Sequence, residues 1–303
     1  MKKKKLKKRN KKMSIADRRM PKGEIIPLWR DLVFCQIFSD KAYSFALNYL
    51  LATILDADVK DIKGNLTYLV KDLKNYHKKQ MSNKVDLLLD LNGEIINVEI
   101  NSEDAMLKRN VVYLGKLLAT TLKRGAKSYD EISKVVQINF NHFKTDKKRL
   151  LTTSMVRDED GLVDVDNFVI YNISMELAND ACYNCLDEKE RKLAVWCNLL
   201  ETASLKTFET EALKIMNKEE TNALKERLEE LSNDEENFTL YTELTNEELL
   251  RNTYVDRARN EGQTQKAIKI AKNMIRMGLD DEFISKSTEL SSNEVEEIRK
   301  NLK

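Results

Sequence analysis

The sequence predicts a mixed α/β (α+β) fold, in which a small mixed sheet is followed by a largely helical C-terminal extension. Two observations lead to this prediction. The pair Asn92-Gly93, flanked by runs of Leu, Ile and Val, is the strongest short-range signal for a β-hairpin. The 303 residues contain only 8 Gly and 2 Pro, so few residues interrupt helices elsewhere in the chain.

The predicted elements of the first part follow the order helix, strand, strand, strand, helix, strand, with a further strand later. Pro27 is placed to open the first helix, where its missing N–H does no harm. In chain order, hydrophobic periodicity predicts helices over 27–38 and 42–55, a strand over 66–73, a polar loop over 77–83, the hairpin over 84–101, a helix over 105–124 stopped by Gly125, and strands over 135–140 and 168–173.

The C-terminal part is predicted to be mostly helical. The predicted helices cover 188–201, 211–231, 257–277 and two short segments within 278–298, with a break at the acidic residues 233–236. The second short helix has a plausible cap at Ser291 or Ser292. The two short helices form either a helix-turn-helix-like element or a packing module, and their acidic character argues against binding in a DNA groove.

Charge and composition divide the chain further. Residues 1–22 carry twelve Lys or Arg and one acid, although the formal net charge of the whole chain is only +2. This polybasic tail is expected to be disordered; it either adds sequence-independent affinity for phosphate backbones or is an extension without a role. We predict four regions, namely the tail at 1–22, a folded core at 23–175, a helical extension at 176–255 and C-terminal helices at 256–303.

Several classes of protein and site are not expected. No apolar run approaches the roughly 18 residues that span a bilayer, and no hydrophobic segment follows the basic amino terminus as in a secretory signal. The four cysteines are therefore predicted to be reduced thiols of a cytoplasmic protein. Cys182 and Cys185 form a single C-x-x-C without a second pair, so zinc is not expected. His77 and His142 are too few for a histidine-based site.

Two acids on the hairpin form a candidate metal site. Asp86 starts the first strand and Glu99 lies near the end of the second, so antiparallel pairing brings them close together. Two carboxylates on neighbouring strands can hold a divalent cation. Taken alone, however, such acids are more often the solvated edge residues of a hairpin.

The wider pattern resembles a known nuclease fold. The element order, with Asp on the second strand and Glu-x-Asn on the third, resembles the restriction-endonuclease-like core of the PD-(D/E)XK nucleases, and more narrowly the Rpn family of recombination-promoting nucleases and transposases. The resemblance covers roughly residues 24–300 and is weakest between 176 and 255. Its segments are Arg30-Asp31-Leu32-Val33-Phe34, Asn75 to Asp86, Val98-Glu99-Ile100-Asn101, Arg109-Asn110-Val111-Val112-Tyr113, Tyr129 to Phe140 and Gly278 to Ile298.

This resemblance implies a metal-dependent site that contacts DNA. Asp86 and Glu99 would be catalytic ligands of Mg²⁺ or another divalent cation, with the backbone carbonyl of Ile100 as a further ligand. Asp31 stands where related nucleases place an accessory acidic ligand, although it could equally cap or pair on its helix. The implied phosphate contacts are Arg109 and Tyr113, which share a helix face, although Tyr113 could instead be a core residue, together with the charges of Lys84 and Lys108.

Asn101 is the point at which the chain departs from the pattern. PD-(D/E)XK nucleases usually have Lys at this catalytic position, and the Rpn family more often has Gln. An amide can position a water molecule but cannot act as a base at neutral pH. The resemblance therefore implies a metal-dependent DNA endonuclease without a membrane partner, and it leaves a homo-oligomer open. The alternative is a catalytically degenerate nuclease fold that binds DNA or a partner protein.

Overall fold

The computed structural model describes residues 19–69, 85–122, 125–180 and 187–302. The chain divides into two compact units, Met1–Thr239 and Leu240–Lys303. The first unit contains a six-stranded mixed sheet, and the second is helical. The predicted mixed α/β fold with a helical C-terminal region is therefore confirmed. No helix among the described residues is long and apolar enough to cross a membrane.

The strands of the sheet are β1 (Leu66–Tyr68), β2 (Leu87–Leu91), β3 (Glu94–Asn101), β4 (Val135–Asn141), β5 (Leu151–Arg157) and β6 (Val163–Ser174). They lie in the order β1-β2-β3-β4-β6-β5. The pairs β3 with β4 and β4 with β6 are parallel, and the other three pairs are antiparallel.

Eleven α-helices are formed by the described residues. They are α1 (Asp31–Phe38), α2 (Ser44–Leu55), α3 (Val59–Ile62), α4 (Ala105–Thr121), α5 (Leu177–Asp180), α6 (Glu188–Glu201), α7 (Leu205–Ala212), α8 (Lys218–Asn233), α9 (Glu235–Arg276), α10 (Asp281–Thr288) and α11 (Ser292–Lys300).

The Asn-Gly hairpin between β2 and β3 forms as predicted. Asn92 and Gly93 both have positive φ angles, 54° and 87°, which is what a two-residue type I′ turn requires. The side chain of Asp90 accepts a hydrogen bond from the backbone N–H of Gly93 at 2.9 Å. Because the register pairs Leu87 with Val98, residues just before β2 lie beside the C-terminal end of β3.

The two faces of the central strands differ in chemistry. Side chains alternate across a strand, so β3 and β4 each present one apolar and one polar set, and both sets are buried. The apolar set is Ile96, Val98, Ile100, Val136, Ile138 and Phe140, and the polar set is Asn97, Glu99, Asn101, Gln137, Asn139 and Asn141. Helix α4 packs over these two strands on the side of the polar set, so the candidate acid Glu99 lies in a buried polar layer.

Three local predictions were wrong for identifiable reasons. Pro27 opens a turn instead of a helix, because its carbonyl accepts a hydrogen bond from the N–H of Arg30 and α1 begins at Asp31. The helix predicted over 211–231 is divided, because Asn217 and Glu220 form a capping box that starts α8. The helix predicted to start at residue 257 begins at Glu235 instead.

Strand β5 was not predicted, and its largely polar, half-exposed sequence shows little of the alternation that marks a strand.

The remaining predictions concern segments that the structure describes only in part or not at all. The predicted strand over 66–73 is observed as β1 as far as Tyr68, and its end from residue 70 onward lies outside the described residues. The polar loop over 77–83, Lys84 and the C-x-x-C at 182–185 also lie outside them.

The second unit has a small core of its own. Ala271 from α9, Ile284 from α10, and Leu290 and Val295 near and within α11 are all buried and pack together. Asp280 caps α10 by accepting from the N–H of Phe283, and the two short helices form as predicted. The predicted cap of the last helix is confirmed at Ser291, which forms a capping box with Glu294.

The hairpin turn generates a stability prediction. Gly93→Ala forces an L-residue to adopt a positive φ, so it should lower the free energy of unfolding by about 1–2 kcal/mol. Gly115→Ala is the matched control, because Gly115 lies within α4 with open space around it, and it should raise that free energy by about 0.5–1 kcal/mol. Urea unfolding measures both changes; equal stability of Gly93→Ala and the parent would contradict the turn.

Candidate active site

Asp86 is held at the C-terminal end of β3 by the hairpin register. One carboxylate oxygen, Oδ2, accepts a hydrogen bond from the backbone N–H of Ile100 at 2.9 Å. The backbone carbonyl of Asp86 accepts from Sγ of Cys35 at 3.5 Å, which links this residue to α1. Asp86 is only half-buried, so a carboxylate at this position is accessible to solvent and to a ligand.

Glu99 is the most deeply buried acid of the site, with only 1% of its surface exposed. Its Oε2 accepts a hydrogen bond from Nη2 of Arg109 at 3.0 Å, and its Oε1 accepts from Nδ2 of Asn97 at 3.4 Å. The pKa of Glu99 is raised to about 8, first by burial and then by the negative charge of Asp86, while the positive charge of Arg109 and the hydrogen bond from Asn97 oppose this rise. Without a cation the site therefore favours a protonated Glu99 at neutral pH.

The charges of Asp86 and Arg109 also affect Asp31. It is the first residue of α1 and remains exposed, yet its pKa is raised to about 6, first by desolvation and then by the charge of Asp86. The positive charges of Arg109 and Arg30 oppose this rise. Asp31 thus lies within electrostatic reach of Asp86, at the edge of the site that contains the two hairpin acids.

The donor set fits a divalent cation that is only partly ligated by protein. Among the described residues, no group of three or more His, Cys, Asp or Glu side chains is arranged to hold a metal ion. Mg²⁺ is nevertheless commonly held by one or two carboxylates, with waters and substrate phosphates completing its shell. Asp86 and Glu99 supply hard oxygen atoms of this kind. Their mutual repulsion, visible in the raised pKa of Glu99, is what a cation would relieve.

The basic side of the site comes from α4. The Arg109 side chain is 39% exposed, and its guanidinium lies 5.3 Å from the centre of the Tyr113 ring. Tyr113 itself is 4% exposed and packs with Leu114, Leu117 and hairpin residues, so it belongs to the core while it supports Arg109. Lys108 is exposed on the same helix.

Asn110 connects α4 to two strands at once. Its Nδ2 donates to Oδ1 of Asn101 on β3 and to Oδ1 of Asn139 on β4, each at 2.9 Å. Its Oδ1 accepts from Nε of the neighbouring Arg109 at 3.3 Å. The same side chain therefore sets the position of the helix and the orientation of the guanidinium that reaches Glu99.

The contacts of Asn110 belong to a longer chain of amide side chains across the sheet. Asn97 donates to Gln137 at 2.8 Å, Gln137 donates to Asn139 at 2.8 Å, and Asn139 donates to Asn172 on β6 at 2.9 Å. Buried amides are costly unless they are hydrogen-bonded, and here they bond to one another, although Oδ1 of Asn97 has no hydrogen-bond partner among the described residues. The network connects the partner of Glu99 to strands β4 and β6.

Asn101, the candidate at the usual Lys position, is part of this network. It is fully buried; its Oδ1 accepts from Asn110, and its Nδ2 donates to Oδ1 of Asn141 at 3.0 Å. Its backbone carbonyl accepts from the N–H of His142 at 2.8 Å. Both polar atoms of the side chain are thus engaged with protein.

Sequence reasoning singled out Asp86, Glu99 and Arg109, which the fold brings together, but it missed the amide network. A signal was present in β4, where Gln137, Asn139 and Asn141 occupy every second position of an otherwise apolar strand. Such alternation usually indicates a solvated strand face. Those amides are buried beside the site only because α4 covers this face of the sheet.

The raised pKa of Glu99 predicts a pH-dependent stability in the absence of divalent cations. The pKa of Glu99 is 4.5 in the unfolded chain and about 8 in the folded protein. Between these pH values the folded protein therefore holds a proton that the unfolded chain lacks. The free energy of unfolding should therefore fall as pH rises from 6 to 8, by up to about 1.4 kcal/mol per pH unit. Urea unfolding in a chelator should show this slope in the parent and in Glu94→Gln, a control at the far end of β3. A slope that is unchanged in Glu99→Gln would contradict the assignment.

The amide network predicts which of two amide substitutions lowers the free energy of unfolding more. Asn110→Ala leaves the Arg109 Nε donor and two buried acceptors without this partner, so it should lower the free energy of unfolding by at least about 2 kcal/mol. Asn172→Ala removes one hydrogen bond from the half-buried end of the network and should cost about 1 kcal/mol. Equal losses in the two variants would contradict a central role for Asn110.

Comparison with known protein families gives two matches to this chain. The family described as PD-(D/E)XK nuclease family transposase matches residues 28–258, which is most of the chain. The family described as Rpn/YhgA-like nuclease family, C-terminal HTH domain, matches residues 264–300, so the helix-turn-helix alternative is the one supported for the C-terminal helices. No curated protein and no solved structure matches.

The two matches lie in the same order as the two structural units, and the first includes every described residue of the candidate site. Nucleases of this superfamily generally use divalent metals, in agreement with the oxygen donors at the end of β3. Because the first match spans most of the chain, the chain belongs to the PD-(D/E)XK nuclease family of transposases.

Proposed function

We propose that this protein is a metal-dependent DNA endonuclease of the recombination-promoting or transposase type, which hydrolyses phosphodiester bonds. The observation that supports this most is the buried carboxylate of Glu99, placed between the negative charge of Asp86 and the guanidinium of Arg109. Structural acids are rarely buried beside a second acid, whereas active sites often contain such pairs. Membership of a nuclease family supports the same conclusion.

The proposed cofactor is Mg²⁺, with other divalent cations as substitutes. Asp86 and Glu99 would hold it together with the backbone carbonyl of Ile100, and Asp31 would be an accessory ligand from α1. When bound, such a cation polarises a phosphoryl oxygen and lowers the pKa of an attacking water molecule. The carboxylates contribute by staying ionised beside the cation, which requires Glu99 to release the proton that its raised pKa retains.

Arg109 is the residue best placed to contact the scissile phosphate. Its side chain is partly exposed, and Asn110 and Tyr113 hold it in place. A guanidinium can pair with phosphate oxygens in a fixed geometry, so it neutralises charge that develops during hydrolysis. The exposed Lys108 would add positive charge on the same helix, and Lys84 is proposed for a similar role on its sequence position alone.

We assign Asn101 a positioning role in this reaction. Its amide is buried and engaged with Asn110 and Asn141, which supports a function in fixing α4, and hence Arg109, instead of direct contact with water. The same observation favours the second candidate function, a nuclease fold that binds DNA or a partner without cleaving it, because the usual water-activating side chain is missing. The cytoplasmic location is likewise a proposal, which rests on the sequence alone.

Plasmid nicking distinguishes these two functions. The parent protein should nick supercoiled DNA with Mg²⁺ and lose this activity in a chelator. Asp86→Asn and Glu99→Gln preserve side-chain shape but remove a ligand charge, so each should reduce the cleavage rate at least about 100-fold.

The matched control is Glu94→Gln on the same hairpin, whose partner is Lys134 at the other end of β3. It should cleave like the parent. Cleavage that is unchanged in Asp86→Asn and Glu99→Gln would refute the proposed site. A parent that binds DNA but does not cleave it with Mg²⁺, Mn²⁺ or Ca²⁺ would favour the non-cleaving function.

A further inference from the structure

Within the C-terminal unit, the end of α9 is positively charged, whereas α10 and α11 carry a net negative charge. Residues 262–279, which form the end of α9 and the following turn, contain no Asp or Glu and four cations. Residues 280–300, which contain α10 and α11, hold seven acids and three cations. The four cations of α9 are Lys266, Lys269, Lys272 and Arg276.

These four cations form a row on the outer face of α9. Their spacings of three and four residues place them on one side of the helix, over an axial length of about 15 Å. All four are exposed, and no ion pair is observed for any of them among the described residues. The opposite face of α9, with Ala267, Ala271 and Met274, packs into the core of the unit.

The cations of α10 and α11 are in a different situation, because each one is paired with an acid. Lys286 pairs with Glu282 at 2.8 Å, and Lys300 pairs with Glu296 at 2.7 Å. Arg299 pairs with Asp281 at 2.6 Å and also donates to the carbonyl of Leu279. Contact of these three side chains with a phosphate would require existing ion pairs to break.

The start of α11 is also unsuited to a DNA groove. In the usual docking of a helix-turn-helix, the N-terminal residues of its second helix approach base edges in the major groove. Here that end carries Glu294, Glu296 and Glu297, and Glu294 is already engaged in the capping box with Ser291. Three carboxylates would therefore face the negative potential of the phosphates, which is repulsive.

We propose that the outer face of α9, formed by Lys266, Lys269, Lys272 and Arg276, binds the phosphate backbone of DNA, and that α11 stays outside the groove. The proposal rests on the proposed function for its ligand, DNA, but it does not depend on cleavage. Contact through phosphates alone makes the C-terminal unit a sequence-independent anchor. An anionic membrane is a poorer ligand for this helix, because its apolar face is already buried in the unit core.

The test compares two double variants with the same change in charge. Lys269→Gln/Lys272→Gln removes two cations from the proposed surface, and Lys286→Gln/Lys300→Gln removes two exposed lysines from α10 and α11. Binding of the full chain to a fluorescent 30-base-pair duplex is measured by anisotropy in a chelator, at several salt concentrations. The polybasic tail at 1–22 is present in both variants, so its contribution cancels in the comparison.

The α9 variant should bind DNA about tenfold more weakly at 0.1 M salt, and the slope of log K against log salt should decrease by about 1.8. The α10/α11 variant should stay within about twofold of the parent. Equal effects of the two variants, or a larger effect of the α10/α11 variant, would overturn the proposal. So would an α9 variant that loses binding to phosphatidylserine vesicles but keeps its DNA affinity.

These outcomes are independent of the endonuclease hypothesis. Loss of DNA affinity in the α9 variant would support the surface even if no cleavage is detected with the parent protein. Conversely, cleavage by the parent together with unchanged DNA binding in the α9 variant would overturn the surface and leave the endonuclease function in place. Unchanged melting temperatures of both variants exclude unfolding as the cause.

Discussion

The ionisable group on which the rest of the site depends is the buried carboxylate of Glu99. A carboxylate that is removed from water is stable only if it is protonated, hydrogen-bonded or paired with a cation. Here Arg109 and Asn97 contact it, and Asp86 adds a repulsive charge that these contacts do not fully offset. The hairpin, helix α4 and the amide network can all be understood as the structure that surrounds this group.

The burial of Glu99 explains why the central strands carry buried polar side chains on one face. Buried sheet faces are normally apolar, but a carboxylate in such a face needs neighbours that donate hydrogen bonds. Asn97 on β3 supplies one such bond, and the amides of β4 connect Asn97 to Asn110, which also fixes the orientation of Arg109. The amide of Asn101 is fully buried and bonds to Asn110 and Asn141 in the same network.

Much of the fold could be predicted from sequence, because its strongest signals are local. The Asn92-Gly93 turn, the apolar face of α4 and the cap at Ser291 depend on residues a few positions apart. The errors arose where distant contacts decide the outcome. Strand β5 exists because β6 pairs with it, and the amides of β4 are buried because α4 covers them. The proximity of Asp86 and Glu99 could be predicted because the hairpin that brings them together is itself a local structure.

The central proposal for this site is that Asp86 and Glu99 together bind a divalent cation. Diffraction from crystals grown with Mn²⁺, measured at the manganese absorption edge, tests it most directly. We expect an anomalous peak that is ligated by both carboxylates in the parent protein and is absent in Glu99→Gln. Crystals without a peak at this position, in which Glu99 is contacted only by Arg109 and Asn97, would contradict it.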